Sequence, residues 1–281
     1  MPGPVVVRLP APAAAAHSPG HRGGGRVIAA HLGALDDDEL VRLYPRADAP
    51  WLRVNFVSSL DGAVAVDGLS TGLSGADDKR VFRLLRMLCD GLLVGAGTLR
   101  DERYRPLTLD PARRAWRGEH GLCAYPRLVV VSATLRLDPA APALAGAPVR
   151  PLILTGPAAD PAARRALSAV ADLADIADLS TGLQLLHGLG LTQLLCEGGP
   201  TLLGSLGGED LVDDLCLTLS PLLAGPGSGR ITSGRPHPPR RLTTTHVLTT
   251  DEGSLLTRHT RRKGTFLSPS QDRCLVSESG A

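Results

Sequence analysis

Aromatic side chains are scarce. Phe, Trp and Tyr make up 3% of the 281 residues, too few stacking surfaces for a single-stranded nucleic-acid binder. An excess of either charge is also missing. Thirty Lys and Arg against 28 Asp and Glu leave a formal +2, too balanced for a chain whose main work is neutralising phosphate backbones. Arg113–Arg114, Arg240–Arg241 and Arg261–Arg262–Lys263 are short, scattered runs and read as solvated surface. No stretch reaches the roughly 18 apolar residues of a membrane span. The opening "MPGPVVVRLPAPAAAAHSPG" breaks its apolar run with Arg8 and several prolines, and no basic residue precedes it, unlike a signal peptide. We therefore expect a soluble cytoplasmic protein with neither a nucleic-acid nor a membrane partner.

Metal and disulfide frameworks are missing too. The five cysteines, Cys89, Cys123, Cys196, Cys216 and Cys274, are odd in number and form no CxxC. Three of them, Cys89, Cys196 and Cys216, lie in apolar runs, where a free thiol packs as a small hydrophobe. That usage fits a reducing compartment. The eight histidines enter no HxE or HExxH pattern, so no zinc site is expected.

What is present is an ordinary apolar share, 43%, enough for a substantial core. Residues 1–25, rich in Pro, Ala and Gly, read as a disordered tail; 26–263 as one folded domain; 264–281 as a flexible end. Within the domain, strand-like and helix-like stretches alternate. Strands are expected at 51–59, 91–95, 127–132, 151–155, 192–197 and 211–221, and a closing hairpin pair at 243–249 and 254–260. Helices are expected at 76–90, 160–167, 180–190 and from 199 to 206. Asp160 reads as an N-cap with Pro161 at the first helical position. The β-α order predicts an α/β fold: a mostly parallel central sheet, helices on both faces, and an antiparallel edge from the late strands.

Two strand-to-helix junctions carry glycine pairs. "LLVGAGTLR" (92–100) holds Gly95, Ala96, Gly97 and Thr98; "LLCEGGPTLLG" (194–204) holds Gly198, Gly199, Pro200, Thr201 and Leu202. Glycine lets the backbone turn sharply and approach a ligand. The first helical N–H groups lack internal partners and, with the helix dipole, suit a phosphate. A dinucleotide diphosphate fits between two such turns. The GxGxxG fingerprint fails at Arg100, and no GxxxxGK[ST] occurs. After the strand at 127–131 the chain offers Ser132, Thr134 and Arg136 where an NAD site would offer a carboxylate; hydroxyls and a guanidinium suit the 2′-phosphate of NADP, and a ligand-free polar turn is the alternative.

Glu197 stands directly before the second glycine turn. A carboxylate beside an anion site cannot serve the phosphate, because like charges repel. It is expected to point to the other ligand, accepting from ring N–H groups; a plain helix-terminal charge is the alternative.

Four stretches in register, "NFVSSLDG" (55–62), "LLVGAGTLRDERY" (92–104), "LLCEGGPTLLGSL" (194–206) and "LVDDLCLTLSPLLAG" (211–225), resemble the C-terminal reductase domain of the riboflavin-biosynthesis deaminase–reductase, over roughly residues 51–262. The chain looks most like the stand-alone actinobacterial-type members. The resemblance implies a dihydrofolate-reductase-like three-layer sandwich, a homodimer, NADPH as cofactor and a phosphoribosylamino-pyrimidine as substrate. It implies cofactor contacts from Gly97, Thr98, Gly199, Pro200, Thr201 and Leu202, and substrate contacts from Ser70, Arg86 and Glu197. Asp61 in "SLDG" and Glu102 become the candidate catalytic acids; a turn residue and a surface ion pair with Arg103 or Arg105 are the respective alternatives. The chain departs from the family at Ala63, where Lys or Arg is usual, at Gly72, where an aromatic is frequent, and in lacking the zinc-deaminase signatures. A pterin or folate reductase and a non-catalytic NADP-binding module are the competing readings.

Overall fold

The computed structural model describes residues 27–266. The tail expected at 1–25, and the C-terminal stretch from 267 onward, lie outside the described residues. In chain order the elements are β1 (Ile28–His31), α1 (Asp37–Leu43), β2 (Trp51–Ser59), α2 (Ala76–Leu88), β3 (Gly91–Gly95), α3 (Ala96–Asp101), α4 (Pro111–Glu119), β4 (Arg127–Val131) and α5 (Pro142–Ala145). There follow β5 (Leu152–Thr155), α6 (Pro161–Leu167), β6 (Asp172–Asp175), α7 (Leu179–Gly188), β7 (Gln193–Cys196), α8 (Pro200–Gly208), β8 (Asp214–Ser220), β9 (Arg240–Thr249) and β10 (Leu255–Phe266).

The strands form one ten-stranded sheet in the order β1-β9-β10-β8-β2-β7-β3-β4-β5-β6. β10 runs antiparallel to both β9 and β8, and every other neighbouring pair is parallel. The mostly parallel α/β sandwich expected from the sequence is the observed fold. The reversed strand sits inside the edge, with β9 and β1 beyond it.

Successive strand residues face opposite layers. Leu92 and Val94 of β3 pack with α1, α2 and α6, whereas Leu93 between them packs with α7 and α8. Leu128 and Val130 against Val129 repeat the pattern in β4. Two apolar cores result, one on each side of the sheet.

The end of the sheet where β2 and β8 begin is tied by buried ions. The Asp214 carboxylate, 0% exposed, accepts from Arg53 Nε at 2.7 Å and from Arg258 Nε at 2.9 Å. Those guanidiniums also donate to the carbonyls of Leu43, Tyr44 and Pro45, so they satisfy the last turn of α1. Function is left to the opposite end, where the parallel strands finish.

Candidate active site

The helices differ in how they begin. α1, α4, α6 and α7 each start at an aspartate, Asp36, Asp110, Asp160 and Asp178, whose side chain accepts from the first-turn amides. α3 and α8 start at Gly95 and Gly199, with no side-chain cap. The two junctions touch: the Gly95 amide donates to the Gly198 carbonyl at 2.7 Å. A Cβ on Gly199 would come within 2.4 Å of Thr98 Oγ1, and one on Gly198, at φ +98°, within 2.8 Å of the Phe56 ring. The positive φ favours glycine at 198, a side chain at 199 would have to displace Thr98, and no side chain caps the first α8 amides.

A cavity of about 720 Å³ opens over these turns. Gly95, Ala96, Gly97 and Thr98 form one wall, and Gly199, Pro200, Thr201 and Leu202 another. Ser132 and Thr134 line its floor after β4, and Ile176 and Leu179 its far end. Gly198 is buried beneath it. The volume suits a dinucleotide half. Thr155, at the end of β5, lines the same cavity with a buried hydroxyl that has no hydrogen-bond partner among the described residues. Two carboxylates on its rim are already engaged: Asp178 accepts from the Thr181 amide at 2.7 Å, and Glu209 from the Ser180 amide at 3.0 Å. Uncapped helix amides, a glycine cradle and an orphaned hydroxyl fit a nucleotide cofactor. Arg136 is not among the lining residues; Arg100 is, and its guanidinium donates to the Arg136 carbonyl at 2.7 Å.

A second cavity, of about 510 Å³, adjoins the first and shares Thr98, Asp101, Gly199 and Pro200 with it. Glu197 stands in its wall for a simple reason. Leu195 packs on the α2 side of the sheet and Cys196 on the α7–α8 side, so the next residue returns to the α2 side. There it meets Arg86, which donates through Nε at 2.7 Å and through the terminal nitrogen at 2.6 Å. The Tyr104 hydroxyl donates to the same carboxylate at 2.8 Å. Burial opposes the Arg86 charge, but the Glu197 carboxylate outweighs it and holds the guanidinium above its ordinary value. Burial, reinforced by Glu197, pushes the Tyr104 hydroxyl well above the usual phenol range. Arg86 also lies over the Phe82 ring, 4.2 Å from its centroid.

Ser70 and Glu102 line this cavity together, the Ser70 amide donating to the Glu102 carboxylate at 2.9 Å. Lys79, Arg103 and Arg105 line it as well and form no ion pair with any described residue. Arg103 holds a left-handed backbone, φ +49°, a conformation that clusters at functional sites.

Asp61 is placed elsewhere. It lines neither cavity. Its exposed carboxylate accepts from the Ser59 hydroxyl and from the amides of Ala224 and Gly225, and these bonds hold it below the usual carboxylate range. Sequence reasoning thus located Ser70, Arg86, Glu102 and Glu197 around one cavity and the glycine turns around the other. It missed that Glu197 is paired to Arg86 and Tyr104. Tyr104 closes the "LLVGAGTLRDERY" stretch, so only its partner was hidden. Thr155 gave no signal, because it belongs to no recognisable motif; Asp101 lies within that same stretch, and only its place between the two cavities was hidden.

Among the described residues no helix is long and apolar enough to cross a membrane. Residues 50–256 match the family described as the RibD C-terminal domain. The 2,5-diamino-6-ribosylamino-4(3H)-pyrimidinone 5′-phosphate reductase of Archaeoglobus fulgidus is 29% identical over 181 residues, 63% of this chain and 82% of that protein. Its namesake in Methanothermobacter thermautotrophicus is 30% identical over 188 residues, 63% and 80% of the two chains. In structure, a pyrimidine reductase-like protein from Corynebacterium diphtheriae superposes with a TM-score of 0.71 at 24% identity, over 82% of this chain and 96% of its own. On this coverage the chain belongs to the RibD C-terminal domain family and is an oxidoreductase.

Proposed function

We propose that the protein is an NADPH-dependent reductase of a phosphoribosylamino-pyrimidine, the reaction type for which its archaeal relatives are named. The observation that carries this reading is the set of cations in the smaller cavity. Lys79, Arg103 and Arg105 have no carboxylate partner there, and Arg86 stands beside them. A sugar phosphate needs such charges, as a pterin does not. Arg83, the other arginine nearby in sequence, does not line the cavity.

The residues of the larger cavity would hold NADPH: Gly97 and Thr98 on one wall, Gly199 to Leu202 on the other, and Ser132 after β4. When bound, it supplies the hydride. The residues shared by the two cavities, Thr98, Asp101, Gly199 and Pro200, are where cofactor and substrate meet. The electrophile is C1′ of the opened ribosylamine, where the imine carbon takes the hydride and its nitrogen a proton. Glu102 is our candidate proton donor, since it lines the substrate cavity. Glu197 fixes Arg86 and Tyr104 and keeps one lone pair for a ring N–H. We also propose a cytoplasmic homodimer, in line with the family resemblance and with unpaired Cys89, Cys123, Cys196 and Cys216.

The test is NADPH consumption over a panel: the 2,5-diamino-pyrimidinone phosphate, its 5-amino-uracil counterpart, both without phosphate, dihydrofolate and a dihydropterin. Turnover of either phosphorylated ribosylamine, with KM rising about tenfold or more when the phosphate is removed, is expected. Preferential use of dihydrofolate would transfer the reading to a folate reductase, and binding without turnover to a non-catalytic module.

A further inference from the structure

Residues 221–239, which join β8 to β9, contain no helix or strand. Connections of that length in a compact domain are commonly functional. This one is tied down at three places. Near its start, Asp61 accepts from the Ala224 amide at 3.2 Å and the Gly225 amide at 2.8 Å, and the Leu60 amide donates to the Leu222 carbonyl at 2.9 Å. In the middle, the Ser228 hydroxyl accepts from the amides of Val64 and Ala65 at 3.2 and 3.3 Å. Further on, the Ser233 amide donates to the Pro200 carbonyl at 3.0 Å, and its hydroxyl bonds the Thr201 hydroxyl at 3.1 Å. Contact with α8 is close: a Cβ on Gly204 would fall 1.9 Å from the Ser233 carbonyl oxygen.

The tethers join two walls that otherwise belong to different parts of the chain. Val64 and Ala65 line the substrate cavity, and Thr201 the cofactor cavity, with Pro200 common to both. We propose that residues 222–233 are a strap that fixes the spacing between the substrate wall and the cofactor turn, and that Asp61 is the positioning residue anchoring it. The inference rests on the assignment of the two cavities made above. Hydride transfer depends on placement at near van der Waals distance, and a misplacement of about 1 Å costs about a hundredfold in rate. A strap across both walls sets that distance. Asp61 performs this through its acceptor oxygens, three residues upstream of the cavity-lining Val64, without touching the reacting atoms.

The discriminating experiment compares Asp61→Asn with Asp61→Ala in the full chain. Asparagine keeps an acceptor for the strap amides but has no acidic proton. Amide hydrogen exchange over 222–233, NADPH affinity by fluorescence titration, and the pH profile of kcat with the phosphoribosylamino substrates are the readouts. We expect Asp61→Ala to speed exchange across 222–233 about tenfold or more and to lower kcat about tenfold or more. Asp61→Asn should restore kcat to within about threefold of wild type, with an unchanged pH profile. Equal loss of kcat in both variants, with exchange of the strap unchanged, would make Asp61 an acid and overturn the proposal; so would wild-type exchange and kcat in Asp61→Ala. Should Asp61→Ala not fold, Ser228→Ala removes only the middle tether and must show the same faster exchange for the strap to stand. Absence of wild-type turnover refutes the functional reading alone, because exchange still reports the strap.

Discussion

Replacing Glu197 by Gln removes one charge from a pair whose environment is fully defined. The carboxylate side chain is 2% exposed and that of Arg86 21%. Three donated hydrogen bonds converge on it, two from Arg86 and one from Tyr104. Glutamine keeps one acceptor oxygen, which at the Oε2 position retains two of these bonds, but its NH₂ then faces Arg86 Nε and Arg86 loses its counter-ion. Breaking a buried pair costs about 3–5 kcal/mol. Arg86 opens onto a cavity that solvent reaches, which moves the expectation to about 2–3 kcal/mol, or a Tm lower by about 4–10 °C. Misplacing Arg86 and Tyr104 in the substrate wall should reduce kcat/KM about 10- to 150-fold, the worth of one hydrogen bond to a charged group. NADPH affinity should stay within about twofold, since Glu197 faces α2 and lines the smaller cavity, not the larger one. Calorimetric melting, steady-state kinetics and a separate NADPH titration measure the three quantities. Lost NADPH affinity with kcat/KM retained would refute the assignment of Glu197 to the substrate side, and an unchanged Tm would refute the energetic weight of the pair.

Gly199→Asp sets a carboxylate against Thr98 Oγ1, 2.4 Å from its Cβ, and against the diphosphate; NADPH binding should fall below detection by calorimetry while the far-UV circular dichroism stays native. NADPH should bind at least about tenfold more tightly than NADH, about 1.4 kcal/mol, with Ser132, Thr134 and Arg100 on the cavity wall and its Asp178 and Glu209 already engaged as acceptors; equal affinities by titration would refute it. His246 is buried, its Nε2 has no hydrogen-bond partner among the described residues, and burial, aided by Arg258, lowers its pKa from 6.5 to about 4. The unfolded chain therefore binds the extra proton first as pH falls below 6.5, so stability from this group is complete above that pH and is lost toward pH 4. Between pH 7.5 and 5 the loss should be about 2 kcal/mol, read by denaturant titration, and His246→Phe should flatten that part of the profile.

The sequence made the long apolar strands and the patterned helices legible because periodicity and turn chemistry agreed there. β3 at Gly91–Gly95 and the Asp160–Pro161 start of α6 fall where expected. β6 was not visible: its four residues, Asp-Leu-Ala-Asp, put two acids on a sheet edge and carry no apolar alternation. β1 is equally short and mostly exposed, and it is held by pairing to β9 far along the chain. α4 reads as charged surface, yet its Arg117 is 1% exposed and donates to the carbonyls of Met87, Cys89 and Cys123. α1 did carry a signal, the Asp36–Glu39 capping box. At the site, residue types and turn glycines were readable locally. Pairings such as Arg86 with Glu197, 111 positions apart, exist only once the sheet has formed, and so does the displacement of Asp61 from the cavity.

Hydride transfer from NADPH to C1′ of a phosphoribosylamino-pyrimidine in the smaller cavity is the step on which the proposed function turns. It is tested most directly with NADPH carrying deuterium at the reactive C4 position of its nicotinamide, incubated with each phosphorylated ribosylamine, followed by mass spectrometry and NMR of the product. One deuterium is expected, located at C1′ of the resulting ribityl chain. Unlabelled product, label elsewhere in the molecule, or unreacted substrate beside tightly bound NADPH would contradict it.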